Sequence, residues 1–140
     1  GVAKQTHSDI LRFEELYRIA KVATELGIEK IRITGGEPLV RKGVIDFLAR
    51  LSELPKLKEL VLTTNGILLS EMAEDLHAAG VKRLNVSLDT FDDEIFTRIT
   101  RRGKLSEVLN GIQAARDIGL AVKINTVWLA IFGDDWAGNT

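Results

Sequence analysis

The sequence predicts an α/β fold of about four parallel strands with helices on the outer face, either a TIM-type (βα) barrel or an open doubly wound sheet. Three observations carry that expectation. Segments with helical spacing of apolar residues alternate with short aliphatic segments along the chain, the order of a sheet built from βα units. Three times an amphipathic segment ends at glycine followed by an aliphatic residue, at Leu26-Gly27-Ile28, Ala79-Gly80-Val81 and Ile118-Gly119-Leu120, with a strand soon after. Glycine there suits the left-handed residue that closes a helix. Finally, the strands alternate apolar and polar residues, whereas parallel strands covered on both faces read as unbroken aliphatic runs.

Taken in order, the first helix is expected from an N-cap at Ser8 or Asp9 to about Leu26, burying Ile10, Phe13, Tyr17, Ala20 and Ala23 along one face. A strand follows near 30–34, then a helix near Val44 to Leu54 and a strand near 58–64. A helix from Ser70 to Ala79 leads to a strand near 82–88. Two more helices are expected, Asp92 to Ile99, with Asp92-Asp93 as its acidic start, and Leu105 to Ile118. The last strand lies near 121–127.

Alternation sorts the strand residues into two faces. Ile31, Ile33, Leu60, Leu62, Leu84, Val86, Leu88, Val122 and Ile124 share one; Arg32, Thr34, Thr63, Asn85, Ser87, Asp89, Lys123 and Asn125 share the other. Helices over the apolar side and polar groups turned inward describe a barrel with a solvated, functional lumen. An open sheet with one wet face is the alternative, and periodicity alone does not separate the two. Arg32 and Lys123 among hydroxyls and amides suit a phosphorylated or carboxylated ligand.

Composition narrows the function classes. Hydrophobic residues make up 45% and charged residues 28%, the balance of a soluble globular domain with a real core. A net charge of −1 gives no electrostatic case for nucleic-acid binding. No apolar stretch approaches a membrane span and the first residues lack a signal-peptide segment, so a cytoplasmic setting is expected. The absence of cysteine excludes disulfides, thiolate zinc sites and cysteine-held clusters in this polypeptide. His7 and His77 have no triad or metal spacing and are expected to be solvent-exposed. Asn65-Gly66 reads as a turn, and Arg101-Arg102-Gly103-Lys104 as a solvated connection between helices.

The most informative motif is Gly35-Gly36-Glu37-Pro38, directly after the strand Lys30-Ile31-Arg32-Ile33-Thr34. A glycine pair at a strand end leaves main-chain groups uncovered for a ligand, Glu37 adds an acceptor for an amine, and Pro38 fixes the exit of the loop. Together with Leu62-Thr63-Thr64-Asn65-Gly66 and Asn85-Val86-Ser87-Leu88-Asp89, this segment resembles the molybdenum cofactor biosynthesis protein A family, the radical S-adenosylmethionine GTP 3',8-cyclases. The resemblance covers roughly residues 1–127, three motifs in the family's order on three consecutive strands.

The resemblance implies a barrel of the radical SAM class, with a barrel domain over 1–127 and a tail over 128–140 that does not match the family. It implies that Gly36 and Ser87 contact S-adenosylmethionine, Gly36 at its amino group, and that Arg32, Thr63 and Lys123 face GTP. The implied reaction opens with reductive cleavage of S-adenosylmethionine at a [4Fe–4S] cluster. A 5'-deoxyadenosyl radical then abstracts a hydrogen from the GTP ribose, on the way to (8S)-3',8-cyclo-7,8-dihydroguanosine 5'-triphosphate. The family's cluster-binding cysteines are absent here, so the chain is expected to be a piece of the enzyme, inactive by itself. Two other readings stand beside it, a noncatalytic nucleotide or phosphate binder and an oligomerising module. Unpaired strands near 30–34 and 121–127 predict a homo-oligomer in either case.

Overall fold

The computed structural model describes the backbone of residues 2–89 and 102–127 and the side chains of 12–87 and 106–125. Helix α1 (Val2–Glu25) precedes strand β1 (Lys30–Ile33); helix α2 (Val44–Ser52) then leads to β2 (Glu59–Thr64). Helix α3 (Leu69–Ala79) leads to β3 (Arg83–Asp89), and α4 (Arg102–Asp117) to β4 (Ala121–Val127). All neighbouring strands pair parallel, in the order β1-β2-β3-β4. A doubly wound sheet reverses its strand order partway, whereas a barrel keeps chain order. The strictly sequential order therefore marks a partial (βα) barrel.

The register bears out the two faces read from alternation. Leu62 pairs with Leu84 and Leu84 with Val122, while Thr63 pairs with Asn85 and Asn85 with Lys123. Leu60, Leu62, Leu84 and Val86 are buried together with Phe47, Leu48 and Leu51 of α2, Leu69, Ala73 and Leu76 of α3, and Val108, Ile112 and Ala115 of α4. The core thus lies between one sheet face and three helices, and the other face is left for function. Val61, on the polar side, is also fully buried, so the floor of that face is part apolar.

Helix α1 starts at Val2, ahead of the expected N-cap at Ser8 or Asp9. Ala3, Lys4 and Gln5 are good helix formers, yet they carry no apolar period to announce the extra turns. The expected burial of Ile10 lies outside the described side chains. Of the remaining expected residues, Ala20 is buried, and Phe13, Tyr17 and Ala23 are half-buried. Phe13 stacks on Phe47 with ring centroids 4.6 Å apart, and Arg50 lies 4.1 Å over the Tyr17 ring while pairing with Glu14. These contacts fix α1 on α2.

Helix α4 begins at Arg102, so Arg102-Gly103-Lys104 is its first turn and not a connection. The first N–H groups of a helix have no intrahelical partner, so a glycine there forfeits little. The expected helix Asp92 to Ile99 and the tail 128–140 lie outside the described residues. Gly27, Gly80 and Gly119 all have positive φ where helices close. At Gly80 the neighbouring Ser52 also matters: a Cβ would stand 2.5 Å from its Oγ, which reaches the Ala79 carbonyl at 2.6 Å. Helices α3 and α4 approach closely at Gly111, where a Cβ would meet Leu69 Cβ at 2.8 Å.

Candidate functional site

The site is built from the C-terminal ends of the strands and the loop after β1. Gly35 and Gly36 are exposed, and a Cβ at either would meet nothing within 4 Å. Gly35 has φ +120°, which accounts for glycine there. Gly36 has no positive φ and no crowding neighbour, so neither backbone nor packing within the chain demands its lack of a side chain.

Glu37 shapes the loop, as the family resemblance implies. Its Oε1 accepts from the Asn65 N–H at 2.6 Å, and its Oε2 from the Thr64 hydroxyl at 2.8 Å and the Leu39 N–H at 3.1 Å. The carboxylate is therefore a clamp between the glycine loop and the end of β2, with three of its roughly four acceptor positions in use. Pro38 and Leu39 are buried in the short 3-10 turn Pro38–Val40 that the clamp caps. The clamp left a signal in the sequence. Thr64 falls on the apolar face by register, and a buried hydroxyl there needs a partner. Its oxygen also accepts from the Gly66 N–H, and Asn65 Oδ1 accepts from the Ile67 N–H, so Asn65-Gly66 is the expected turn.

The sequence-predicted ligand residues share one face but not one spot. Thr63, Asn85 and Lys123 form a cross-strand row on β2, β3 and β4, and Ser87 stands one row further on, opposite Asn125. Arg32 is on β1, at the opposite edge from Lys123. Three strand spacings of about 4.8 Å and an offset of two residues along the strands put the two backbones about 16 Å from each other. Arg32 and Lys123 are exposed, Thr63 and Ser87 half-buried.

Charge on this face is uneven along the strands. At the N-terminal ends Glu59 lies 3.4 Å from both Lys30 and Arg83. Desolvation pushes the Glu59 carboxyl up, but the two cations more than offset it and hold it below the usual range. Nearby, the Glu29 carboxylate beside Lys58 raises that ammonium above its ordinary value. Arg32, level with Arg83, and Lys123, one row further along, have no ion-pair partner among the described residues.

No group of three His, Asp or Glu among the described residues could hold a metal ion, and the chain has no cysteine. The sequence model of the Radical SAM superfamily matches residues 3–136. The chain belongs to this superfamily. Within it, this radical SAM chain is 59% identical over 128 residues to the GTP 3',8-cyclase of Geobacter sulfurreducens, covering 91% of this chain and 39% of that protein. It is 53% identical over 136 residues to the GTP 3',8-cyclase of Peptoclostridium acidaminophilum, covering 96% of this chain and 42% of the relative. The match to the Petrotoga mobilis protein of the same name is 49% over 136 residues. These names bear out the resemblance carried by the three strand motifs. The chain spans about two-fifths of the length of these relatives.

Proposed function

We propose that this chain forms the nucleotide and S-adenosylmethionine walls of a GTP 3',8-cyclase acting in molybdenum cofactor biosynthesis in the cytoplasm. The observation that carries this reading is the polar sheet face, where Lys123 shares a row with Asn85 and Thr63, Arg32 lies one row nearer the N-terminal strand ends, and neither cation has a carboxylate partner among the described residues. Arg32 and Lys123, reaching in from the two edges of that face, bind the phosphates of a nucleoside triphosphate. The Thr63 hydroxyl adds a hydrogen bond in the row of Lys123.

Gly36 and Ser87 form the second wall. The space where a Gly36 Cβ would stand is open, which lets a methionyl amino group approach the main chain of the loop held by Glu37. When bound, S-adenosylmethionine supplies the radical chemistry of the superfamily on reduction by an iron–sulfur cluster. The chain has no cysteine to hold such a cluster, so its ligation falls to residues outside these 140, and the chain alone is expected to be inactive.

Calorimetric titration of the chain with GTP and S-adenosylmethionine separately tests the proposal. Arg32→Ala and Lys123→Ala are each expected to weaken GTP binding about tenfold, the loss of one charge-assisted contact, and to leave S-adenosylmethionine unaffected. Ser87→Ala should do the reverse. Absence of heat with both ligands at millimolar concentration contradicts the reading.

A specific observation also favours self-association. Both outer strands are unpaired among the described residues, and Leu16, Ile19 and Val22 of α1 are exposed, Ile19 to 64%. Light scattering is expected to report a dimer or larger assembly through these edges. A clean monomer at high concentration is the contrary result.

A further inference from the structure

Asparagine is depleted in strand interiors, and a buried carboxamide must find partners for both its ends. Asn85 sits in the middle of β3 with 6% of its surface exposed, and its Oδ1 is shielded from solvent with no hydrogen-bond partner. It is the one such side-chain atom among the described residues. An acceptor left in this state costs free energy, which a leucine of nearly the same shape would not. Costs of this kind collect at functional sites.

The position says what the acceptor serves. Asn85 pairs with Thr63 on one side and Lys123 on the other, between two residues assigned to the nucleotide. An oxygen needs a donor. Phosphate oxygens and carboxylates are acceptors and cannot supply one, whereas ribose hydroxyls and the N–H groups of a purine can. The last torsion of asparagine is broad, so the oxygen can turn toward a ligand without displacing the strand.

We infer that Asn85 is a further ligand-contacting residue of the polar face, its carboxamide oxygen accepting from an N–H or O–H on the base or ribose of a purine nucleoside triphosphate. The inference rests on the GTP reading above and deepens it: Arg32 and Lys123 hold the phosphates, and Asn85 reads the nucleoside.

Asn85→Leu is expected to melt about 3 °C higher than the native chain, because the orphaned acceptor is gone, and to bind GTP about tenfold more weakly by calorimetry. A lower melting temperature overturns the inference, since it would mean that the carboxamide is satisfied within the fold. Undiminished GTP affinity overturns it as well. Asn85→Ala provides a second variant, titrated with GTP, inosine triphosphate, 2'-deoxy-GTP and 3'-deoxy-GTP. One analogue, lacking the donor that Asn85 meets, should bind the native chain about tenfold more weakly than GTP but bind Asn85→Ala as well as GTP does. Equal penalties for every analogue in both proteins overturn the inference while leaving the GTP reading standing. Failure of the native chain to bind GTP at all overturns both.

Discussion

Gly66→Ala is expected to cost about 3 kcal/mol of stability, read as a fall in Tm of about 10 °C. Two effects combine at this residue. Its φ of +82° is the left-handed region, where a side chain costs about 1 kcal/mol or more. A Cβ would also stand 2.9 Å from Val108 Cγ1 and 3.1 Å from Val86 Cγ1, inside the core between sheet and α4. Those methyl groups are buried and have little room to retreat. The test is a double-mutant cycle with Val108→Ala. Relief of the overlap makes the double variant more stable than the sum of the two single losses, whereas simple additivity means that the turn conformation alone sets the cost.

Glu37→Ala is expected to be about as damaging, for a different reason. Truncation strands the Asn65 N–H, the Thr64 hydroxyl and the Leu39 N–H, all of which donate to the carboxylate. Three lost charge-assisted bonds at a half-buried site are worth about 3 kcal/mol after partial rehydration. Glu37→Gln keeps one acceptor oxygen but turns an NH2 toward groups that are themselves donors, so it should recover only part of the loss. Thermal denaturation ranks the three proteins as native, glutamine, alanine. Because the clamp positions the Gly35-Gly36 loop, S-adenosylmethionine affinity should fall in the same order. Unchanged affinity in a folded Glu37→Ala would show that the loop holds its shape without the clamp.

The parts of this structure that are legible in the sequence are those set by period and by glycine. A strand with a period of two places every residue on a known face, so the sorting of Leu62, Leu84 and Val122 against Thr63, Asn85 and Lys123 survives intact in the register. The helix-closing turns at Gly27, Gly80 and Gly119 are equally local and equally readable. The start of α1 is not, because its first turns have helix propensity without an apolar stripe.

Side-chain partnerships across long separations are the other illegible class. Glu37 reaches Thr64 and Asn65 across 27 and 28 residues, partners that no local pattern announces. Asn85 shows the converse: alternation puts it on the polar face, but only packing reveals that its oxygen is buried without a donor. Arg32 and Lys123 are correctly placed on one face, yet the strand order that sets them at opposite edges is a property of the whole sheet.

The central claim is that the polar face of this sheet is the nucleotide site. Amide chemical-shift mapping of the isotope-labelled chain during a GTP titration tests it most directly. The largest shifts are expected at Arg32, Thr63, Asn85 and Lys123, on all four strands, with the outer surfaces of α2 and α3 unmoved. Shifts confined to the helices, or none at saturating GTP, would contradict it.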